Sequence, residues 1–339
     1  MIDRFKFSFL SHFKSEYSRS LFMNYSKYFD SINECNICGE SNHQVISERD
    51  KFGCYYPLMY CLNCHNIFSA ISLKKEMLNS YYDGIANKIK IVKDPKLLFQ
   101  NRIKPNGYAF DRYKFISSSL TEELSDNTLI FEIGCSDGAN LVPFHNNRYN
   151  IIGFDFNSKR VEVGNENGLN LFKVNSENEI FKAVLNQPNQ KLIYLSHLIE
   201  HVVDIYDFLK KLVDSMVAKD LLFIETPCID YTLDFDKPAL DLYPKDKNFI
   251  NHLQLEHTYF FQKNQLNNIM KLFGFREIRS NDTYRGLFTL DRKDIPDKSL
   301  FVNNISKKRP SSIMEKLYLL EEKYKNETNN IKLLYKHIF

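Results

Sequence analysis

The sequence predicts an α/β protein whose core is a seven-stranded sheet, and three observations support this fold class. Residues 129–133 form a short apolar run rich in β-branched and aromatic residues, followed by a glycine loop and a segment that can start a helix. Further strand-like runs then alternate with segments of helical spacing. The last two strand-like runs, 276–280 and 286–290, can form a β-hairpin. This alternation is typical of a sheet covered by helices.

The expected strands follow one another from residue 129 to residue 290. Each is a short, mostly apolar run between turn-forming residues. Asp204 and Asp207 have the spacing of a helix cap, which places a helix start at residue 205. The expected strands are 129–133, 150–155, 171–174, 191–196, 221–225, 276–280 and 286–290, with helices at 78–82, 110–120, 205–213 and 262–273.

The loop after the first strand indicates a small-molecule site. Gly134 and Gly138 lack Cβ, so the backbone can approach a ligand closely while amides at the helix start act as donors. The spacing differs from the G-x-G-x-x-G of dinucleotide-binding loops. Asp155 ends the second strand 23 residues after Glu132, close to where a doubly wound fold places its ribose-binding carboxylate. An ordinary strand-to-helix turn would explain the glycines but not this acid.

Composition and net charge argue against nucleic-acid-binding and membrane-spanning classes of protein. The chain has 339 residues, of which 43% are hydrophobic, and a formal net charge of +3. A charge so near balance argues against nucleic acid as the main partner. No apolar run reaches the ~20 residues of a membrane span, and an uninterrupted signal segment is missing. We therefore expect a cytoplasmic enzyme without a transmembrane segment, and its oligomeric state is left open.

Two C-x-x-C pairs predict a structural zinc site. Cys38 and Cys61 are separated by 22 residues, a spacing close to that of four-thiolate zinc sites. Four sulfurs complete a tetrahedron and leave no position for a catalytic water. Disulfides are disfavoured without a secretory signal. The expected ligands are Cys35, Cys38, Cys61 and Cys64; His43 and His65 are alternative ligands, and Cys54, Cys135 and Cys228 are expected to be small apolar fillers.

Two acid–histidine pairs occur in the second half of the chain, and the first is a candidate for a functional site. Glu200 and His201 follow the fourth strand, at the edge where ligands of open α/β sheets bind. Glu256 and His257 precede an aromatic run after the fifth strand. Histidine suits a general base because its ordinary pKa lies near working pH. Each histidine could equally be a satisfied structural residue.

These motifs resemble class I S-adenosylmethionine (SAM) methyltransferases of Rossmann-like fold. With the cysteine pairs ahead of them, they resemble the zinc-binding sugar C-methyltransferases over residues 33–290, a family that acts on nucleotide-activated deoxysugars. The motifs that carry the resemblance are Glu132-Ile-Gly-Cys-Ser-Asp-Gly138, Gly153-Phe-Asp155, Glu200-His201-Val-Val-Asp204, Glu225-Thr-Pro227 and Glu256-His257.

The resemblance implies a cofactor, a structural metal and a catalytic group. His257 would be the base, Glu256 would orient it, and His201 would bind or polarise the acceptor, a nucleotide sugar or a glycan precursor. SAM would be the cofactor and zinc the structural ion. The cofactor contacts would come from Glu132, Gly134, Ser136, Gly138 and Asp155.

Two departures leave alternatives open. Gln254 stands where the family has a tyrosine, and only a short segment remains where larger members have a second Rossmann-like domain. O-methylation of a sugar or glycan is therefore as compatible as C-methylation. His197, Glu200 and His201, together with His257, also resemble the metal pattern of some RNA and quinone O-methyltransferases, with His197 in place of the first acid. An inactive SAM-fold binding protein is a further alternative.

The same features predict five consecutive segments. A small zinc-ribbon-like domain precedes the sheet, and a helical bridge connects the two. The expected segments are 1–32 (N-terminal helical extension), 33–72 (zinc-binding domain), 73–125 (helical bridge), 126–295 (SAM-dependent methyltransferase domain) and 296–339 (C-terminal helical tail).

Overall fold

The computed structural model describes most of the chain. The described residues are 25–50, 55–82, 94–120, 124–125, 127–232, 252–281, 285–306, 316–317, 319 and 322. Cys54, residues 1–24 of the predicted N-terminal extension and most of the predicted C-terminal tail lie outside these ranges.

Five strands come early in the described chain, and strands alternate with helices in most of the rest. The strands are β1 (Phe29–Ser31), β2 (His43–Arg49), β3 (Tyr55–Cys61), β4 (Ile67–Ser69), β5 (Ile71–Leu73), β6 (Leu129–Ile133), β7 (Asn150–Asp155), β8 (Leu171–Lys173), β9 (Lys191–Ser196), β10 (Leu221–Glu225), β11 (Tyr259–Phe260), β12 (Phe275–Ser280) and β13 (Arg285–Leu290). The helices are α1 (Tyr25–Tyr28), α2 (Leu78–Ser80), α3 (Pro95–Arg102), α4 (Tyr108–Ser117), α5 (Val142–Asn146), α6 (Ser158–Glu166), α7 (Glu177–Leu185), α8 (Ile205–Ser215), α9 (Ile229–Thr232), α10 (Lys263–Leu272) and α11 (Lys298–Ser306).

The largest sheet confirms the predicted fold class. It has seven strands in the order β12, β13, β10, β9, β6, β7, β8. The pairs from β10 to β8 are parallel, and β13 pairs antiparallel with both β10 and β12. The predicted bounds of β6, β7, β9 and β10 agree with the structure, and the other three strands differ by one residue at one end.

Burial explains why the central strands could be identified from their composition. Every residue of β6, β9 and β10 is buried, as expected for parallel strands covered on both faces. Ile130, Leu192 and Phe223 belong to one core cluster in this sheet. The start of α8 is also as predicted, because the Asp204 carboxylate accepts a hydrogen bond from the Asp207 amide at 3.0 Å.

A second, smaller sheet includes Cys61 of the second cysteine pair. It has four strands in the order β11, β4, β3, β2, all paired antiparallel. Three of these strands are close in sequence, whereas β11 comes from the segment after the fifth strand of the large sheet. The zinc-ribbon-like sheet therefore takes one strand from a distant part of the chain.

The chain separates into two compact units that are not continuous in sequence. One contains the residues up to Ser72, Pro227–Leu266 and those from Ser299 onward, and the other contains Leu73–Thr226 and Asn267–Lys298. We call them the cysteine unit and the sheet unit. The sequence predicts consecutive segments instead, and those boundaries stay a prediction. Among the described helices, none has both the length and the apolar composition needed to cross a bilayer.

Candidate functional site

The loop after β6 has an unusual backbone at three positions. The φ angles are 73° at Gly134, 54° at Ser136 and 70° at Gly138. This left-handed region costs glycine little and costs other residues roughly 1–2 kcal/mol. A Cβ at Gly138 would also lie 2.9 Å from the side chains of Leu169 and Leu171. The loop geometry therefore requires both glycines, and Ser136 carries strain in the position between them.

Asp155 lies at the carboxyl end of β7 and holds this loop. Its Oδ2 accepts a hydrogen bond from the Ser136 amide at 2.7 Å, and its Oδ1 accepts one from the Asn157 amide at 2.7 Å. Burial raises the pKa of Asp155 above its usual range, against the effect of these two bonds. Each carboxylate oxygen can accept a further hydrogen bond. Asp155 could therefore bind a ligand hydroxyl while it fixes the loop.

Glu132, predicted to contact the cofactor, is buried in the strand that precedes the loop. It is 1% exposed, and its Oε1 accepts a hydrogen bond from Asn140 Nδ2 at 2.6 Å. Burial raises the pKa of Glu132 to about 8. The carboxyl group is therefore mostly protonated at neutral pH and supports the loop from within the protein. A direct contact between Glu132 and a cofactor stays a prediction.

Asp137 is a functional candidate that the sequence analysis missed. It is fully buried between the two glycines and forms ion pairs with Arg102 and Arg160, with Arg160 Nη1 at 3.5 Å from its Oδ2. These arginines lie on α3 and α6. Asp137 therefore anchors the loop to two helices. The acid between the glycines was visible in the sequence, but its partners are distant along the chain.

Glu225 ends β10 and binds two arginine side chains at the carboxyl edge of the sheet. Its carboxylate accepts hydrogen bonds from Arg112 Nε at 3.0 Å and Arg285 Nε at 2.6 Å. Burial alone would raise the pKa of Glu225, but the hydrogen bond with His197 and the charge of Arg112 hold it well below its usual range. Sequence reasoning used Glu225 only as part of a motif and did not single out either arginine.

His197 lies between two carboxylates. Its Nδ1 is 3.3 Å from Glu200 Oε1, and its Nε2 is 3.3 Å from Glu225 Oε1. Withdrawal from water would lower the pKa of His197, but the hydrogen bonds with these acids outweigh that effect and raise it to about 9. Thr226 Oγ1 donates to the other Glu200 oxygen at 2.9 Å. The imidazole is therefore a cation at neutral pH, with both nitrogens engaged.

His201 ends a short 3₁₀ turn after β9 and lies beside Tyr82. The Tyr82 hydroxyl is 3.5 Å from His201 Nδ1, and Asn157 Nδ2 donates to the Tyr82 carbonyl at 2.9 Å. Asn157 in turn bonds Asp155 through its amide. Tyr82 therefore connects the predicted acceptor histidine to the loop after β7.

Glu256 and His257 are buried in the cysteine unit. Their exposed fractions are 6% and 4%. The His257 amide donates to the Gln254 carbonyl at 2.9 Å, and the Tyr56 hydroxyl donates to the His257 carbonyl. The His257 ring packs 5.9 Å from that of Phe260. The backbone around His257 is therefore well fixed, and the predicted roles of Glu256, His257 and His201 stay proposals.

The four predicted zinc ligands come together in the cysteine unit. Their sulfur atoms all lie within 4.8 Å of one another, and the Cys35–Cys64 and Cys38–Cys61 sulfur pairs are 3.5 Å apart. Tetrahedral zinc with Zn–S distances of about 2.3 Å needs sulfurs about 3.8 Å apart. The donor set and spacing therefore fit a zinc ion, and neither His43 nor His65 belongs to this group among the described residues.

Each cysteine pair is followed by a residue with a left-handed backbone. Gly39 has φ of 75°, and His65 has φ of 58° in the equivalent position. The Gly39 amide donates to the Cys35 carbonyl at 2.7 Å, and the His65 amide donates to the Cys61 carbonyl at 2.9 Å. The His65 ring lies 2.6 Å from the Tyr60 hydroxyl through Nδ1. The two turns are therefore alike, and His65 has a structural role.

Comparison with known proteins identifies the family. The family model described as a methyltransferase domain matches residues 107–280, slightly more than half of the chain. A search of curated proteins finds no match. Among solved structures, a SAM-dependent methyltransferase from Archaeoglobus fulgidus is 19% identical, with a TM-score of 0.38, covering 54% of this chain and 75% of that one.

Two further solved structures are similar at lower identity. Magnesium protoporphyrin IX methyltransferase from Synechocystis PCC 6803, with bound SAM, is 11% identical, with a TM-score of 0.41, covering 63% of this chain and 95% of that one. Human N-acetylserotonin methyltransferase, in complex with SAM, is 12% identical, with a TM-score of 0.37, covering 58% and 56%. The match of residues 107–280 confirms the predicted enzyme class. The chain belongs to the methyltransferase domain family and is a SAM-dependent methyltransferase.

Proposed function

We propose that this methyltransferase acts on a sugar, either nucleotide-activated or part of a glycan precursor. The observation that carries the proposal is the four-cysteine group, whose geometry fits zinc and which shares its small sheet with the segment after Glu256 and His257. Two cysteine pairs, a methyltransferase core and a Glu-His pair before an aromatic strand are the combination that resembles the sugar methyltransferases. The product would enter surface polysaccharide or a secondary metabolite.

In the proposed cofactor site, SAM lies at the carboxyl ends of β6 and β7. Gly134 and Gly138, which lack Cβ, let the methionine part approach the loop backbone closely, and Asp155 accepts hydrogen bonds from the ribose hydroxyls. Asp155 can do both tasks because its two oxygens already bond the Ser136 and Asn157 amides and each retains acceptor capacity.

The proposed reaction is an in-line displacement at the SAM methyl carbon. A hydroxyl oxygen or a carbanion of the acceptor forms the new bond to carbon, the C–S bond breaks, and its electron pair stays on sulfur as a neutral thioether. His257 takes the acceptor proton, Glu256 orients the imidazole, and His201 binds the acceptor. Alignment of donor and acceptor supplies most of the acceleration, and the base adds about 10²–10⁴-fold.

A metal-assisted O-methyltransferase is the second candidate, and the surroundings of His197 count against it. Ligation requires a neutral imidazole with a free nitrogen. Both His197 nitrogens face carboxylates at 3.3 Å, those of Glu200 and Glu225, so neither nitrogen is free to bind an ion. His197 is therefore poorly suited to replace the first acid of that metal pattern.

An acceptor panel with labelled SAM tests the proposal. We expect label to transfer to a nucleotide sugar, with 4-keto-deoxysugars included to separate carbon from oxygen acceptors. Transfer to a quinone or an RNA, with all sugars unlabelled, would contradict it. His257→Gln should lower single-turnover rates by about 10²–10⁴-fold with unchanged SAM affinity. A near-normal rate in folded protein would remove His257 from the mechanism.

A further inference from the structure

The strand that follows His257 belongs to the same sheet as the second cysteine pair. In β11, Tyr259 pairs with Phe68, and Phe260 pairs with Ile67. The Ser69 amide also donates to the Thr258 carbonyl at 3.0 Å. Ile67 starts β4 three residues after Cys64. The backbone just after His257 is therefore bonded to the backbone just after a predicted zinc ligand.

The residue at position 257 is also held from β3, the strand that ends at the predicted zinc ligand Cys61. Tyr56 lies on β3, which ends at Cys61, and it is 0% exposed. Its hydroxyl donates to the carbonyl oxygen of His257. A buried hydroxyl that loses such a partner is costly, so this bond favours one backbone position for His257.

A third connection starts at the cysteine sulfurs themselves. Asn66 is fully buried, and its Nδ2 lies 3.9 Å from Cys35 Sγ as a donor, while its carbonyl accepts from the Cys61 amide at 2.9 Å. The Asn66 side-chain oxygen accepts a hydrogen bond from Gln265 Nε2 at 3.3 Å. Gln265 is 3% exposed and lies near the start of α10. The chain on both sides of β11 is therefore hydrogen-bonded to residues that lie next to the cysteines in sequence.

We propose that the four-cysteine site positions the Glu256–His257 segment for methyl transfer, with Tyr56 and Asn66 as the positioning residues. This rests on the proposed function only for the role of His257; the coupling between metal and segment stands on the contacts above. Zinc that binds only the folded arrangement of the four cysteines supplies folding energy. That energy then orders β4, Tyr56 and Asn66, and through them residues 256–261.

The first test is amide hydrogen exchange of the full-length protein with zinc bound, after removal by a chelator, and after zinc is added back. We expect zinc removal to speed exchange in residues 256–261 together with residues 35–69, while residues 129–155 and 191–225 stay protected. Zinc addition should restore protection. If residues 256–261 stay protected after the cysteine strands have lost protection, the proposal is wrong.

The second test uses a matched pair of variants on one strand. Tyr56→Phe removes only the hydroxyl that bonds His257, and Tyr55→Phe makes the same change at a side chain that is 47% exposed. We expect faster exchange at residues 257–261 in Tyr56→Phe alone, with one zinc per chain retained in both. Equal exchange in the two variants would overturn the role of Tyr56.

Turnover separates this inference from the proposed function. With the acceptor found in the panel, Tyr56→Phe should lower kcat about tenfold at unchanged KM for SAM, since small misplacements of a reacting group are costly. If His257→Gln is fully active while zinc removal still speeds exchange in residues 256–261, His257 is not the base, but the cysteine site does order that segment. If exchange is uncoupled while His257→Gln is inactive, the coupling fails and the base assignment holds.

Discussion

Replacement of Asp155 by alanine tests the proposed SAM site most directly. The Asp155 carboxylate accepts two backbone hydrogen bonds of 2.7 Å, from the amides of Ser136 and Asn157. Asp155→Ala removes both acceptors and any bond to a ribose hydroxyl. It should therefore lower both the stability of the sheet unit and the affinity for SAM, and the two losses can be measured separately.

The two effects can be estimated from the hydrogen bonds. Each bond to a charged acceptor contributes about 1.5–3 kcal/mol, so the loss in unfolding free energy has an upper bound of about 6 kcal/mol. Burial raises the pKa of Asp155, which means that keeping the carboxylate ionised already costs energy. We therefore expect a net loss nearer to about 3 kcal/mol. One lost ligand bond of about 1–3 kcal/mol weakens SAM binding about 5- to 150-fold.

Calorimetry with SAM and thermal unfolding on the same sample measure both quantities. Asp204→Ala is the matched control, because the Asp204 carboxylate also accepts a backbone amide, from Asp207 at 3.0 Å. That variant should lose about 0.5–2 kcal/mol of stability and bind SAM normally. Unchanged SAM affinity in well-folded Asp155→Ala would refute the argument and move the cofactor site elsewhere.

Three further predictions concern other parts of the chain. The native protein should lose stability as pH rises from about 4.5 to about 8, because burial favours the protonated form of Glu132 and raises its pKa to about 8. Glu132→Gln should not show this loss, and melting curves with the same pH dependence in both proteins would contradict the prediction. Asp220→Ala breaks a buried pair with Lys191 Nζ at 3.1 Å and should cost about 3–5 kcal/mol without changing SAM affinity, since the pair lies at the amino ends of β9 and β10; urea unfolding and calorimetry check it. Elemental analysis should find one zinc per chain, lost in Cys61→Ser; protein purified without chelator that contains no zinc would disprove the site.

Much of the sheet and its loop could be predicted because the signals are local. The runs 191–196 and 221–225 are apolar throughout most of their length, and both became strands at the predicted bounds. Gly134 and Gly138 adopt positive φ, as tight strand-to-helix loops require. The four cysteines were paired by spacing alone, and their sulfurs lie close together. In each case the signal lies within one stretch of the chain.

The charged network at the carboxyl edge could not be predicted in this way. Arg112 on α4, His197 after β9 and Arg285 at the start of β13 are far apart along the chain. Two of them reach Glu225 because parallel β9 and β10 end, and antiparallel β13 begins, at one edge of the sheet, and Arg112 reaches it from the helix. Asp137 likewise pairs with arginines on helices before and after it in the chain. A charged side chain has the same local pattern whether it is solvated or buried in a pair, so sequence alone gives no reason to prefer either.

The sequence by itself determined the α/β class, the order of the strands along the chain, the glycine loop and the cysteine spacing. These follow from backbone preferences and hydrophobic periodicity within a few residues. The tertiary structure decided that β11 joins the cysteine sheet, that Tyr56 bonds the His257 carbonyl and that Asp155 holds the loop through two amides. Strand pairing and buried hydrogen bonds between residues far apart along the chain depend on which surfaces meet when the core forms, and no local pattern records that choice.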